Sequence, residues 1–276
     1  MTSKKSFLQS VAAYPHIVWS ILFIIAPLLF VIYYTFTDSE GNITLDNIVS
    51  LAKPDYLSIF LRSICFAIVA TFICLIIAYP LAYFISRMKE QRQRILTLLV
   101  MLPMWMNLLI RTYSWMNILE NNGLVNTLLS KVGLGPFQML GNSSAVVLGM
   151  VYNFLPYMVL PICTVMSKID TRLIEAAGDL GCNNFQTMIK VIMPLSVSGV
   201  ISGITMVFVP SVSTFYISQK MGGGNFDLIG DTIERQFMLN YDYNMGASLS
   251  FILMILIFIS LAVMNKFGDD EGGIVV

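Results

Sequence analysis

Few residues in this 276-residue chain have the types and spacing that chemistry requires. The single histidine, His16, has no serine, cysteine or carboxylate spaced to work with it, so it reads as structural. Cys65, Cys74, Cys163 and Cys182 are not paired at metal-ligand spacing, and the first three lie inside apolar runs, where cysteine behaves as a small hydrophobe. Met221-Gly222-Gly223-Gly224 lacks the following Lys-Ser/Thr of a phosphate-cradling loop. The apolar runs hold neither the paired aspartates nor the Ser–His pair of an intramembrane hydrolase. What remains is a polar interruption, residues 167–194, SKIDTRLIEAAGDLGCNNFQTMIKVIMP. Ala176, Ala177, Gly178 and Gly181 lie at helical spacing, so one side of a short helix is nearly bare. Another protein surface can approach such a backbone closely. That is the chemistry of docking rather than of bond-making.

The elements around this stretch must be membrane helices. The chain is 57% hydrophobic and 12% charged, with a mean hydropathy of +0.76. A soluble domain carries about 25% charged residues, and a spanning helix needs about 20 apolar ones. The pattern predicts an all-α polytopic protein, one transmembrane domain over 1–276, with six spans at about 14–36, 59–86, 95–119, 143–166, 195–218 and 245–265. Residues 167–194 then form the loop between spans four and five. Lys4 and Lys5 precede an apolar run too long for a signal peptide's core, which predicts an uncleaved first span.

Span five carries Ser196, Ser198, Gly199, Ser202, Gly203 and Thr205, small residues that let membrane helices pack backbone to backbone. It should be central in the bundle. Prolines fall in five of the six spans (Pro27, Pro80, Pro103, Pro156 with Pro161, Pro210), as in helices broken around a cavity. Asn107, Tyr152, Asn153 and Tyr157 recur within spans three and four and suit either helix–helix hydrogen bonds or a path lining. Arg111, near the outer end of span three, is expected to snorkel or to cap a loop.

Lysine and arginine counts set the orientation. One side holds ten of them: Lys4, Lys5, Arg87, Lys89, Arg92, Arg94, Lys168, Arg172, Lys190 and Lys266. The other holds six: Lys53, Arg62, Arg111, Lys131, Lys220 and Arg235. Both termini and the 167–194 loop are therefore expected in the cytoplasm. Zero net charge gives no electrostatic support for a nucleic-acid partner.

Glu175-Ala176-Ala177, Gly181 and Val191-Ile192-Met193-Pro194 resemble the signature loop of bacterial ABC importer permeases of the binding-protein-dependent, MetI-like class. That pattern is Glu-Ala-Ala, three residues, Gly, nine residues, Ile-x-Leu-Pro. The resemblance implies that Glu175, Ala176, Ala177, Gly181 and Pro194 belong to a coupling helix seated in a cytoplasmic ATPase. A narrower resemblance, to the spermidine/putrescine branch of the class, rests on Pro80–Arg87, Leu109–Leu119, Gly149–Ile162 and Phe215–Phe237. It implies a cell-membrane permease subunit with no cofactor of its own and no catalytic or metal-ligating residue. Its partners would be a second homologous permease, two copies of an ATPase holding ATP and Mg, and an extracytoplasmic binding protein.

A polycation is bound by carboxylates and aromatic faces. Candidates for its path are Trp115, Glu120, Tyr152, Asn153, Tyr157, Asp227 and Asp231, with Arg111 off the path. The outer side carries nine carboxylates against six cations, a surplus that ordinary solvated loops also show. The competing readings are a permease of the same class for another small solute, an autonomous secondary transporter, and a membrane-embedded enzyme, the last disfavoured by the missing catalytic pairs.

Overall fold

The computed structural model describes the backbone of residues 14–272, with side chains through 264 and at Lys266. Lys4, Lys5 and the last residues of the acidic tail lie outside the described residues. The described chain is helical apart from its turns and one isolated bridge, Thr37 to Ile43. In order the helices are α1 (Tyr14–Thr35), α2 (Asp46–Ser50), α3 (Pro54–Ser86), α4 (Glu90–Trp105), α5 (Leu108–Leu119), α6 (Leu124–Lys131) and α7 (Ser143–Met166). Then follow α8 (Thr171–Asp179), α9 (Asn184–Ser213), α10 (Tyr216–Met221), α11 (Ile229–Arg235) and α12 (Tyr243–Gly272). Five of these, α1, α3, α7, α9 and α12, are long and apolar enough to cross a membrane.

The remaining apolar segment is bent. The segments Glu90–Trp105 and Leu108–Lys131 meet at 91°, where the sequence suggested one continuous span over 95–119. Met106 and Asn107 are both extended (ψ 145° and 132°), and the Asn107 side chain accepts from the Leu109 N–H at 2.7 Å. Asn107 is thus the N-cap of a new helix, the role its short amide favours. α4 fully buries no side chain, and packs Leu96 and Val100 against the core.

Prolines break the helices in two ways. Before Pro27 and before Pro194 the chain widens into one π turn: the Ala26 N–H reaches Ile21 O, and the Met193 N–H reaches Met188 O. Widening relieves the proline ring's clash with the carbonyl four residues back. Pro80, Pro103, Pro156, Pro161 and Pro210 instead lie inside α-helices.

The chain divides into two compact units. One combines the residues up to Leu57 with Thr232–Ile255. There the end of α1 is closed by two asparagine amides. Asn47 donates to the carbonyls of Thr35 and Thr37 (3.2 and 2.8 Å), and Asn244 to those of Tyr34 and Thr37 (3.1 and 2.6 Å). Helix-end carbonyls need such partners. Phe36 packs edge-on against Phe251.

The other unit, Ser58–Asp231 with the chain from Leu256, contains the main core. α7 and α9 form its most extensive helix pair. A Cβ on Gly199 would lie 2.9 Å from Pro161 O, and one on Gly203 would lie 2.7 Å from Met158 Sδ and 3.1 Å from Met158 O. The two glycines, four apart, set the distance between the helices. Around them Cys74, Ala78, Ala82 and Ile85 of α3 join Met158, Ile162, Met166, Ile192 and Val207 in one buried cluster. The Tyr79 hydroxyl meets Ser196 Oγ at 3.0 Å within it.

Candidate functional site

The 167–194 stretch folds as its sequence requires. Asp170 caps α8 by accepting from the Arg172 N–H at 2.9 Å. The helix ends at Gly181, whose φ of +83° is the left-handed conformation that favours glycine. The Cys182 N–H returns to Ala177 O (3.0 Å) and the Gly181 N–H to Gly178 O (2.9 Å), the double bond of a Schellman stop. Asn183 then opens α9 with a reciprocal capping box: it accepts from the Gln186 N–H (2.8 Å), while Gln186 Oε1 accepts from the Asn183 N–H (3.0 Å). Two helix ends are thus sealed within a few residues. The link between α8 and α9 is short and geometrically defined.

The side chains of α8 divide cleanly. Ile174 and Ala177 pack inward, with Ile169 ahead of them, Ile174 and Ile169 against the cluster that holds Met166 and Ile192. Glu175, Ala176 and Gly178 are exposed, as are the large apolar Leu173, Leu180 and Phe185. Around Gly178 and Gly181 a Cβ would meet nothing within 4 Å. The exposed face is therefore small in the middle and apolar at the edges. Ala177 belongs to the inward face, and Gly181 owes its identity to the turn. Pro194 sits just past the π turn at the start of the apolar part of α9.

Of the candidate path residues, Trp115 and Tyr152 come together, their rings edge to face at 5.2 Å. Asn153 is 1% exposed; its amide donates to Gly149 O at 2.8 Å, and its Oδ1 has no hydrogen-bond partner among the described residues. Tyr157 packs against Phe154. Pro156 and Pro161 have no N–H to offer the carbonyls of Tyr152 and Tyr157, which are left as acceptors on this helix. Glu120 is exposed at the end of α5, its backbone carbonyl holding Gly123 and Asn126. Asp227 is half-buried.

Asp231 serves its own loop. It is 4% exposed, Oδ1 accepting from Ser218 Oγ (2.9 Å) and Oδ2 from the Leu228 N–H (2.8 Å). Beside it Ser63 Oγ accepts from the Ile229 N–H at 2.7 Å, and a Cβ on Gly230 would strike the carbonyls of Ser213 and Thr214.

Arg111 does not snorkel. It is 8% exposed, with Nε and Nη1 buried and unpartnered among the described residues. Because the helix bends at Asn107, Arg111 lies one turn into a new helix, on the face with Leu108, Thr112 and Trp115, rather than at the end of a straight span. Sequence reading also passed over an aromatic site on α5 and α10. Lys220 Nζ lies 5.8 and 5.9 Å from the rings of Tyr113 and Tyr216, which are 6.3 Å apart. An ammonium held between two tyrosines is cation–π geometry. Its members are 107 residues apart in the chain, so no local pattern marks them. No cluster of three potential metal ligands occurs among the described residues.

Five helices long and apolar enough to cross a membrane, with a capped and exposed helix between two of them, make this a multi-pass membrane protein. Residues 49–267 match the family described as "Binding-protein-dependent transport system inner membrane component", and the chain belongs to that family as a multi-pass inner-membrane protein. Among its relatives, the spermidine/putrescine transport system permease protein PotB of Haemophilus influenzae is 36% identical over 246 residues, 86% of either chain. PotB of Escherichia coli K12 is 36% identical over 253 residues, 89% of this chain and 92% of its own. A chain in the crystal structure of a bacterial alginate ABC transporter bound to its alginate-loaded periplasmic protein superposes with a TM-score of 0.79. The match covers 95% of this chain and 94% of that one at 15% identity, so the two share the fold.

Proposed function

We propose that this chain is one of two permease subunits of an ATP-driven importer that moves spermidine and putrescine inward by alternating access. The observation that carries this is the 36% identity to PotB relatives across 86 to 92% of their length. Both termini and α8 face the cytoplasm, as the lysine and arginine counts favour. The partners are a second, homologous permease, two copies of a cytoplasmic ATPase that bind ATP and Mg, and an extracytoplasmic binding protein that delivers the polyamine.

α8 seats in the ATPase through Glu175, Ala176 and its apolar edges, with Ala177, Gly181 and Pro194 holding the shape of the element. ATP binding moves the ATPase, and α8 follows. Because α8 is anchored by Ile169 and Ile174 to the cluster shared with α7 and α9, a push on it tilts that glycine-packed pair together. The ATPase shifts the two-state equilibrium only as far as its contacts with α8 differ between states. Trp115, Tyr152, Asn153 and Tyr157 offer the passing amines rings and carbonyls, with Glu120 and Asp227 as the outer carboxylates. Asp231 contributes by fixing the loop that presents Asp227.

The test is uptake of labelled spermidine by proteoliposomes holding the complete importer, with loaded binding protein outside and ATP inside. Uptake that requires both is expected. Uptake of another solute such as sulfate with none of polyamine overturns the substrate, and ATP-independent uptake by this chain alone overturns the class.

A further inference from the structure

The turn between α3 and α4 borders a cavity of about 550 Å³ that transport by the bundle does not use. Its lining is Arg87, Met88, Lys89, Arg92, Ile95 and Leu96: three cations, three apolar side chains and no carboxylate. Arg87 is the most constrained of them. Its Nη1 reaches Ile169 O at 3.5 Å and its guanidinium lies 5.8 Å from the Tyr83 ring, while Nε and Nη2 are buried with no hydrogen-bond partner among the described residues. Buried guanidinium N–H groups left unpaired are costly, and charged oxygens are the acceptors that suit them.

We infer that this cavity is a binding site for the headgroup of an anionic phospholipid. The mixed lining favours a ligand that is itself amphipathic. A phosphate would lie among Arg87, Lys89 and Arg92, and the start of an acyl chain along Met88 and Ile95, which are 40% and 58% exposed. The turn follows a helix of 33 residues, more than the roughly 20 that the hydrocarbon layer needs, so on this reading it stands at the level of the lipid phosphates. Basic pockets between membrane helices on the cytoplasmic side hold such headgroups. Arg87 touches Ile169, the residue before the cap of α8. A bound headgroup therefore fixes an arginine that contacts the approach to the docking helix, and lipid composition becomes an input to coupling.

The complete importer in nanodiscs of phosphatidylcholine, with or without phosphatidylglycerol, tests this without reference to the transported solute. The variant is Lys89→Gln/Arg92→Gln, which leaves Arg87 and its contacts in place. Native mass spectrometry should show one fewer phosphatidylglycerol retained per copy of this chain. The affinity for that lipid should fall roughly tenfold or more, and the stimulation of ATPase turnover by phosphatidylglycerol should vanish. Equal retention and equal stimulation in both proteins overturn the proposal. Millimolar inorganic phosphate restoring turnover in pure phosphatidylcholine would assign the cavity to free phosphate. Loss of the ATPase from the variant in every lipid would assign it to a protein contact. Either of these overturns the lipid assignment.

Discussion

The α8 element and the loop from Ser218 to Asp231 are both turns between helices, yet they are held by opposite means. α8 is held by its backbone: two sealed helix ends and one left-handed glycine, with most of its side chains pointing outward. The 218–231 loop is held by buried polar side chains, Asp231 on Ser218 and Leu228, Ser63 on Ile229, with Asn225 donating to Gly141 O at 2.6 Å. An element that must offer a surface to a partner cannot also spend that surface on its own fold. A loop that needs only a fixed shape can turn its polar groups inward. Substitutions should therefore separate function from stability in the first region and fuse them in the second.

The largest effect is expected from Asp231→Ala. It removes the two oxygens that accept from the Ser218 hydroxyl and from the buried Leu228 N–H, at a cost of about 3 kcal/mol. Thermal unfolding of the detergent-purified importer should shift down strongly, and Asp231→Asn, which keeps one acceptor, should fall between. If Asp231→Ala melts like wild type but loses polyamine uptake, Asp231 acts on the substrate and the contrast fails.

Gly181→Ala should cost less, about 1–2 kcal/mol, because the left-handed backbone opposes any Cβ while the space around it is open. Gly181→Asn should recover part of this, since asparagine tolerates that conformation. A full recovery of ATPase pull-down by Asn, with little by Ala, would show that the turn's shape rather than its bareness is what the partner needs.

These two residues also show what a sequence can disclose. Gly181 stood out as a position among small residues, but its role did not: it was expected on the bare side of a helix and instead ends that helix in a left-handed turn before the Asn183 cap. The α7–α9 packing was legible, since Gly199 and Gly203 announce a close approach whatever the partner helix. Asp231 was not, because the Ser218 hydroxyl that it accepts from lies 13 residues away, beyond the reach of any local pattern. Asn107 failed for another reason. An asparagine inside an apolar run is the same letter whether it lines a path or caps a helix, and only the 91° bend decides for capping. Arg111 inherits that ambiguity, its depth having been reckoned along a helix that turns aside before reaching it.

Gly178→Ala reverses the sign. Gly178 is helical, exposed and unobstructed, so alanine should stabilise α8 by about 0.5–1 kcal/mol. Gly178→Trp should leave the melting temperature near wild type and abolish ATPase retention in a pull-down. Retention of the ATPase by the tryptophan variant would mean that this face is not the docking face.

The smallest effect sets the buried carboxylate against an exposed one. Asp38 makes a similar set of bonds in the open: Oδ1 accepts from the N–H groups of Asn42 (2.8 Å) and Glu40 (2.9 Å), and Oδ2 from the Asn42 amide (3.2 Å). The Asn42 backbone N–H is the chief cause that lowers its pKa below the usual carboxylate value; desolvation, next in size, opposes it, and the Asn42 side chain and the N–H groups of Glu40 and Gly41 add to the lowering. A carboxylate whose folded pKa is depressed contributes its full stability above the unfolded value and loses it as pH falls through the folded one. The turn around Gly41 should therefore hold through neutral and mildly acidic pH and loosen only below the ordinary carboxylate range. Asp38→Asn should loosen it at every pH. Hydrogen exchange at the Glu40 and Asn42 amides, in wild type and variant, reads this directly, and water around Asp38 should keep both effects far smaller than those at Asp231. An Asp38→Asn melting shift as large as that of Asp231→Ala would remove burial as the reason the two loops differ.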